Sequence, residues 1–411
     1  MNQEELGLLQ TISTNTIAYR LKDWINNFKE NVPRVQGGYG VASLLNTLKN
    51  VPCIIVGSGP TLDLNIKQLR GLQNRACIIT SDSAFRALLD NDIHAHLILT
   101  TDSKGKVKEF FSGVDTSKYN FILDTFCHPD TADFIQGRKY WYNTLPVEGC
   151  EFTQILNQWT GFIGSLGTGG CVATTIWSLV VQILGCDPDI LVGLPEAYYD
   201  ISKQYADCVT RANHKGIDQY DAPPISMKDI YDRDCFTQPG FRSFSIWFQD
   251  AFRHIPGIHI NCSEGGIIQK NCLIMNLKDV AERYLINEYP IEEMLFVKEK
   301  QIDHILQIAK KEQYSKHRPM LTVLLDGPSL QNLSLRMGLT EQETQDTINE
   351  LRDNGFDIEE TSSDAVNPFG EPMQIVAFTL KGIQVDEIPE GTDIPIIVED
   401  EMNEESGSNM R

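Results

Sequence analysis

The chain has 411 residues, 41% hydrophobic and 22% charged, an ordinary globular composition with length enough for two or three domains and a sizeable core. Its net charge is −21, most of it late in the chain: residues 318–382 hold eleven acidic and four basic residues, and 384–411 nine acidic and one basic, which argues against general affinity for nucleic-acid backbones or anionic membranes. No run approaches the roughly 20 apolar residues of a membrane helix, the polar start MNQEELGLLQ is not a secretory signal and no lipidation motif is present, so a cytoplasmic protein without membrane contact is expected.

Residues 1–45 are expected to be a helical segment, because Leu21, Trp24, Ile25 and Phe28 make one apolar stripe at i, i+3, i+4, i+7. From 46 to 290, apolar strands alternate with helices. CIIVG (53–57), CIIT (77–80), HLILTTD (96–102), NFILDT (120–125) and DILVGL (189–194) read as strands. NIKQLRGL, SAFRALLDN (83–91), KVKEFFSG and VATTIWSLVVQILG (172–185) read as helices. This alternation predicts an α/β, Rossmann-like transferase domain whose mostly parallel sheet is covered on both faces. HIPGIHINCSEGG (254–266) closes the sheet edge with a strand and a small-residue loop. Residues 291–317 are a charged helical connector. In 318–382, LTVLLDG, SLQNLSLRMG and TEQETQDTINELRDNG (340–355) read as three helices, the last opened by a Thr340–Glu343 capping box. FDIEET and MQIVAFTL follow as strands, predicting a small winged helix-turn-helix domain. Residues 383–411 are an acidic tail expected to be disordered.

The ten cysteines form no Cys-x-x-Cys pair and several sit in apolar runs, so small buried hydrophobes of a reducing compartment are expected, and no metal site. Chemistry is expected at the carboxyl ends of the strands. There, Gly57-Ser58-Gly59-Pro60-Thr61-Leu62 is a candidate phosphate cradle at a helix start, with a ligand-free tight turn as the alternative. Ser81 and Asp102, in Ser81-Asp82-Ser83 and Thr101-Asp102-Ser103, are candidate nucleotide contacts; helix capping competes for Ser81 and Asp82. In the loop Gly164–Gly170, Thr168, Gly169 and Gly170 are candidates to hold a phosphate or carboxylate, against close helix packing. Glu196 and Asp200 are candidate bases for an acceptor hydroxyl, His214 a weaker one, and the loop 261–266 is expected beside them.

VPCIIVGSGPTL, the strand end at Asp102, GTGGCVATTIWSLVVQILGCDPDILVG, AYYD and FTQPGFRSFSIWFQDAFRHIPGIHINCSEGGI, in this order, resemble the motility accessory factor family. That family is grouped with the archaeal 6-hydroxymethylpterin diphosphokinase, and its core is similar to the sialyltransferases. The resemblance covers about residues 20–290 and implies a nucleotide-dependent transferase. One implied chemistry moves a nonulosonate-type sugar from a CMP-sugar to a hydroxyl of an acceptor protein or small molecule. The alternative moves diphosphate from ATP, with magnesium, to a hydroxymethyl group of a pterin or, in a viral chain, a modified DNA base. Where the family usually carries Gly-x-Asp-x-Ala-Tyr, this chain reads Gly193-Leu194-Pro195-Glu196-Ala197-Tyr198. Either Glu196 takes the acid's role after a one-residue shift or the acceptor site has changed; a catalytically inactive binding module is the third reading. The winged helix lies outside the family's usual arrangement. Its would-be recognition helix holds Glu341, Glu343, Asp346, Glu350 and Asp353 against Arg352 alone, which favours protein contact or homo-oligomer formation over DNA.

Overall fold

The computed structural model describes residues 2–36, 38–161, 163–209, 223–308, 317, 320–321, 324–325, 330–337, 339–366 and 372–383. The strands are β1 (Tyr39–Gly40), β2 (Cys53–Val56), β3 (Cys77–Ser81), β4 (Leu97–Thr100), β5 (Asn120–Asp124), β6 (Arg138–Thr144), β7 (Ser165–Leu166), β8 (Asp189–Val192), β9 (Ile225–Lys228), β10 (Asp234–Thr237), β11 (His259–Asn261), β12 (Leu273–Ile274), β13 (Phe356–Val366) and β14 (Pro372–Ile383). Ten of them make one parallel sheet in the order β1-β6-β5-β4-β3-β2-β8-β11-β12, with β7 also paired to β6. β9 and β10 form a separate antiparallel hairpin.

The central strands carry continuous apolar runs because both faces are covered. Ile54, Val56, Ile78, Ile98 and Ile190 point into one core, whereas Cys53, Ile55, Cys77, Ile79 and Leu191 point into the other. Helices Leu62–Leu69 and Asp82–Asp90 cover the first face; Val172–Ser178 and Pro239–His254 cover the second. All ten cysteines are free and none is exposed. The expected helix KVKEFFSG is a 3₁₀ segment, Gly105–Phe111. No described helix is long and apolar enough to cross a membrane.

Two features position the site. Chain order reverses between β2 and β8, so their carboxyl ends bound the crevice where open α/β sheets take ligands. Across these ends runs the helix Gln3–Val35. Its buried Asn27 donates to the carbonyls of Ser103 and Phe126, and its buried Asn31 to those of Thr125 and Cys127.

Toward the carboxyl terminus, helices Leu330–Met337 and Glu341–Asp353 pack with the β13–β14 hairpin around Leu333, Ile348, Leu351, Phe356 and Phe378. The capping box is present: the Glu343 N–H donates to Thr340 Oγ1, and the Thr340 N–H to Glu343 Oε2. The hairpin strands outrun their predicted bounds because Ser362 to Val366, read as turn, pair across to Val376 to Pro372. Much of the first expected helix of this region and residues 384–411 of the tail lie outside the described residues.

Candidate active site

A cavity of about 630 Å³ opens over the β2–β8 crevice. Gly57, Ser58, Gly59, Pro60, Ser81, Asp102, Gly170 and Glu196 all line it, so eight of the residues singled out from the sequence meet. Its roof is the helix Gln3–Val35, through Leu8, Ile12, Arg20 and Trp24. Thr168 and Gly169 instead line a smaller adjoining chamber. Thr61 is buried at the N-cap position of the helix Leu62–Leu69, its hydroxyl without a hydrogen-bond partner among the described residues. Asp200 is exposed and away from the cavity, its carboxylate accepting the N–H and hydroxyl of Ser202, which hold its pKa down. His214 lies outside the described residues.

The loop after β2 works differently from the expected phosphate cradle. The Gly57 N–H donates to Val192 O and the Gly59 N–H to Gly193 O, each at 2.9 Å, so both are spent on the facing loop. A Cβ at Gly59 would stand 2.5 Å from Pro195 Cδ. The glycines therefore let two loops close on each other. The polar wall comes from hydroxyls: Ser83 Oγ donates to Ser58 Oγ at 3.0 Å and lies 3.1 Å from Ser81 Oγ. Ser81 sits at the N-cap position of Asp82–Asp90 but makes no capping bond. Asp82 is buried; Thr100 Oγ1 donates to its Oδ2 at 2.6 Å and the Ser83 N–H to its Oδ1 at 2.7 Å. Asp102 Oδ1 accepts the Lys104 N–H at 2.8 Å and faces Arg20 at 3.8 Å. Arg20 is the one basic side chain among the described residues of the lining, and its position in the N-terminal helix, well before the strand-end loops in the chain, gave no signal in the sequence.

In the Gly164–Gly170 loop two backbone N–H groups are likewise engaged by hydroxyls of the chain. The Gly169 N–H donates to Thr174 Oγ1 and the Gly170 N–H to Thr168 Oγ1, while a Cβ at Gly169 would stand 2.5 Å from Trp247 Cγ. Close packing accounts for these glycines.

Glu196 is the distinctive group of the site. Past β8 the chain turns through Gly193 (φ +65°) and Glu196 itself (φ +50°), a left-handed conformation unusual for a residue with a Cβ. Neighbouring elements hold it there. The Leu194 N–H donates to Ser263 Oγ, the Ile267 N–H to Pro195 O and Thr237 Oγ1 to Glu196 O, so the loop after β11 does lie alongside. Glu196 is 8% exposed, and its carboxyl has no hydrogen-bond or ion-pair partner among the described residues. Burial alone pushes its pKa up to about 8. Burial, and next the Glu196 charge, push the thiol of neighbouring Cys171 up to about 12.

The adjoining chamber, about 250 Å³, contains a carboxylate that the sequence reading passed over. Asp124 ends β5; burial raises its pKa to about 6 against the opposing effect of its donors, the Phe126 N–H at 2.9 Å and Thr144 Oγ1 at 3.0 Å. Its place at a strand end was the available signal. Thr144 lies on β6, a strand of polar and aromatic residues that lacks the apolar run of the central strands.

Residues 26–200 match the model of the family described as 6-hydroxymethylpterin diphosphokinase MptE-like. The matched segment contains β1 to β8 with Ser58, Ser81, Asp102, Asp124 and Glu196, and excludes Arg20, Trp24 and the loop after β11. A diphosphokinase is a group-transferring enzyme, and the match agrees with the resemblance read from the motifs. Among solved structures, a Maf glycosyltransferase from Magnetospirillum magneticum AMB-1 is similar at 17% identity and a TM-score of 0.45, over 75% of this chain and 52% of that one. This chain thus spans about half the length of that enzyme. No protein of curated function matches the sequence.

Proposed function

We propose that this protein is a transferase that binds an activated nucleotide in the β2–β8 cavity and moves a group from it to an acceptor hydroxyl, with Glu196 as general base. The observation that carries the reading is the buried Glu196 carboxyl, without a partner among the described residues, beside the serine-lined cavity. A base is most effective when its pKa lies near the working pH, and burial has moved this one from the usual carboxylate range to about 8. In the favoured version the donor is a CMP-linked sugar of nonulosonate type. Ionised Glu196 takes the acceptor proton, the acceptor oxygen bonds to the anomeric carbon, and the bond from that carbon to the phosphate oxygen breaks. The nucleoside monophosphate leaves with the electron pair, its charge met by Arg20 and the hydroxyls of Ser58, Ser81 and Ser83. A single described cation beside the carboxylates Asp82 and Asp102 suits a monophosphate leaving group better than a triphosphate.

The second reading, diphosphoryl transfer from ATP to a hydroxymethyl group, is favoured by the family match over residues 26–200. Both Asp82 oxygens already accept hydrogen bonds, and among the described residues no three His, Cys, Asp or Glu side chains gather as a metal cluster. In this reading magnesium would enter with the nucleotide. Thermal shift of the full chain with CMP, CMP-sugars and ATP, with and without magnesium, separates the two. Metal-independent stabilisation by CMP compounds is expected, reduced in Arg20→Ala. A response confined to ATP with magnesium would replace the sugar reading, and no response to any nucleotide would leave the binding-module reading.

A further inference from the structure

The two chambers differ in charge. The described lining of the smaller one contains no lysine, arginine or histidine and a single carboxylate, Asp124. A phosphate is disfavoured there. At about 250 Å³ it is also small beside the roughly 300–1,000 Å³ typical of drug-sized ligand pockets. Its shape of chemistry is specific. Asp124 is fixed by the Phe126 N–H on one oxygen and Thr144 Oγ1 on the other, with the Tyr142 hydroxyl also acting on the carboxylate, and its two oxygens keep acceptor capacity for a further donor. Around it stand the hydroxyls of Thr101, Thr168 and Thr175 and the indoles of Trp24 and Trp247. Hydroxyls and a carboxylate next to flat apolar faces match a ring with O–H edges and C–H faces.

The chambers also communicate. Thr101, Gly170 and Cys171 belong to the walls of both, and Cys171 adjoins Glu196. A ring seated on Asp124 can present one hydroxyl at this junction. Both chambers lie beneath the helix Gln3–Val35, which contributes Ile12, Thr16 and Trp24 to each.

We propose that the smaller chamber is the acceptor subsite, and that it takes an uncharged polyhydroxylated ring, a monosaccharide or cyclitol, held by Asp124 and Thr144 against Trp24 and Trp247. This rests on the larger cavity being the donor site. It makes the acceptor a small molecule enclosed under the helix and not a protein side chain.

Titration of the full chain with uncharged monosaccharides and inositols, followed by intrinsic tryptophan fluorescence, tests the proposal. At least one is expected to saturate the signal in the millimolar range or below. Asp124→Asn and the near-isosteric Thr175→Val should each weaken that binding by about tenfold and leave CMP binding unchanged, with Arg20→Ala doing the reverse. Far-ultraviolet circular dichroism checks folding, and Thr175→Val keeps the test open should Asp124→Asn misfold. No saturation by any such ring, or saturation untouched by the chamber variants, overturns the proposal. So does preference for a hydroxymethyl heterocycle or a serine or threonine peptide. Ring binding that needs Asp124 in a chain that binds no nucleotide upholds the chamber and overturns the donor site instead.

Discussion

Two buried carboxyls at strand ends show how neighbours set acidity. Asp124 has Phe126, Thr144 and Tyr142 opposing its rise and reaches only about 6, while Glu196 has burial alone and rises to about 8. A base acts in its ionised form, so turnover is expected to climb with pH toward about 8. Glu196→Gln should remove that limb and lower kcat by about 10²–10⁴-fold; a variant with the parent's pH profile would exclude Glu196 as the base. Stability should move the opposite way. The unfolded carboxyl ionises near 4.5 and the folded one near 8, so the parent loses stability as pH rises between them. Glu196→Gln should therefore melt higher than the parent above that window, by an amount on the order of a few kcal/mol, and lose the advantage below it. Melting curves at the two ends read the difference directly. Sequence alone made Glu196 and Asp200 equivalent candidates. What separates them is contact from Ser263, Thr237 and Ile267, residues far along the chain, and no local pattern encodes that.

At the scale of elements, packing explains the glycine loops better than ligand binding does. Gly169→Ala brings a methyl against Trp247 and should destabilise the fold by about 1–3 kcal/mol, measured as a lower urea midpoint; an unchanged midpoint would mean the indole yields freely. The helix Gln3–Val35 depends on its two buried asparagines. Asn31→Ala removes donors to Thr125 and Cys127 carbonyls and should cost about 1–3 kcal/mol, with earlier amide exchange along the helix as the more specific readout. The strands β2, β3, β4, β5 and β8 were legible because residues buried on both faces leave an unbroken apolar run. β6 was not: Tyr140 and Tyr142 face one core and Trp141 the other, yet Arg138, Lys139, Asn143 and Thr144 break the run. The stripe that revealed the N-terminal helix says which face is apolar, but not that Arg20 would reach Asp102.

Taken whole, the molecule joins a matched core to parts from outside it. Residues 26–200 supply most of the cavity floor, while Arg20 and Trp24 come from before that segment and Phe241 and Phe244 from after it. Its net charge of −21 sets the expectation for its far end as well. Fluorescence anisotropy with duplex DNA should show no binding even at low salt, because the carboxyl-terminal helices and hairpin are acidic; salt-sensitive binding would restore the DNA-modification reading. The contact between Gly59, Pro195 and Gly266 has a consequence of another kind. A side chain added at Gly59 collides with the proline ring, so positions 59 and 195 are one steric unit, whereas one at Gly266 would meet the backbone of residue 195 whatever side chain stands there. Over generations such sites are inherited in matched sets: descendants of this chain should show correlated replacement at 59 and 195 while 266 stays glycine, and the proline standing at 195 constrains which ancestors could have reached it in a single step.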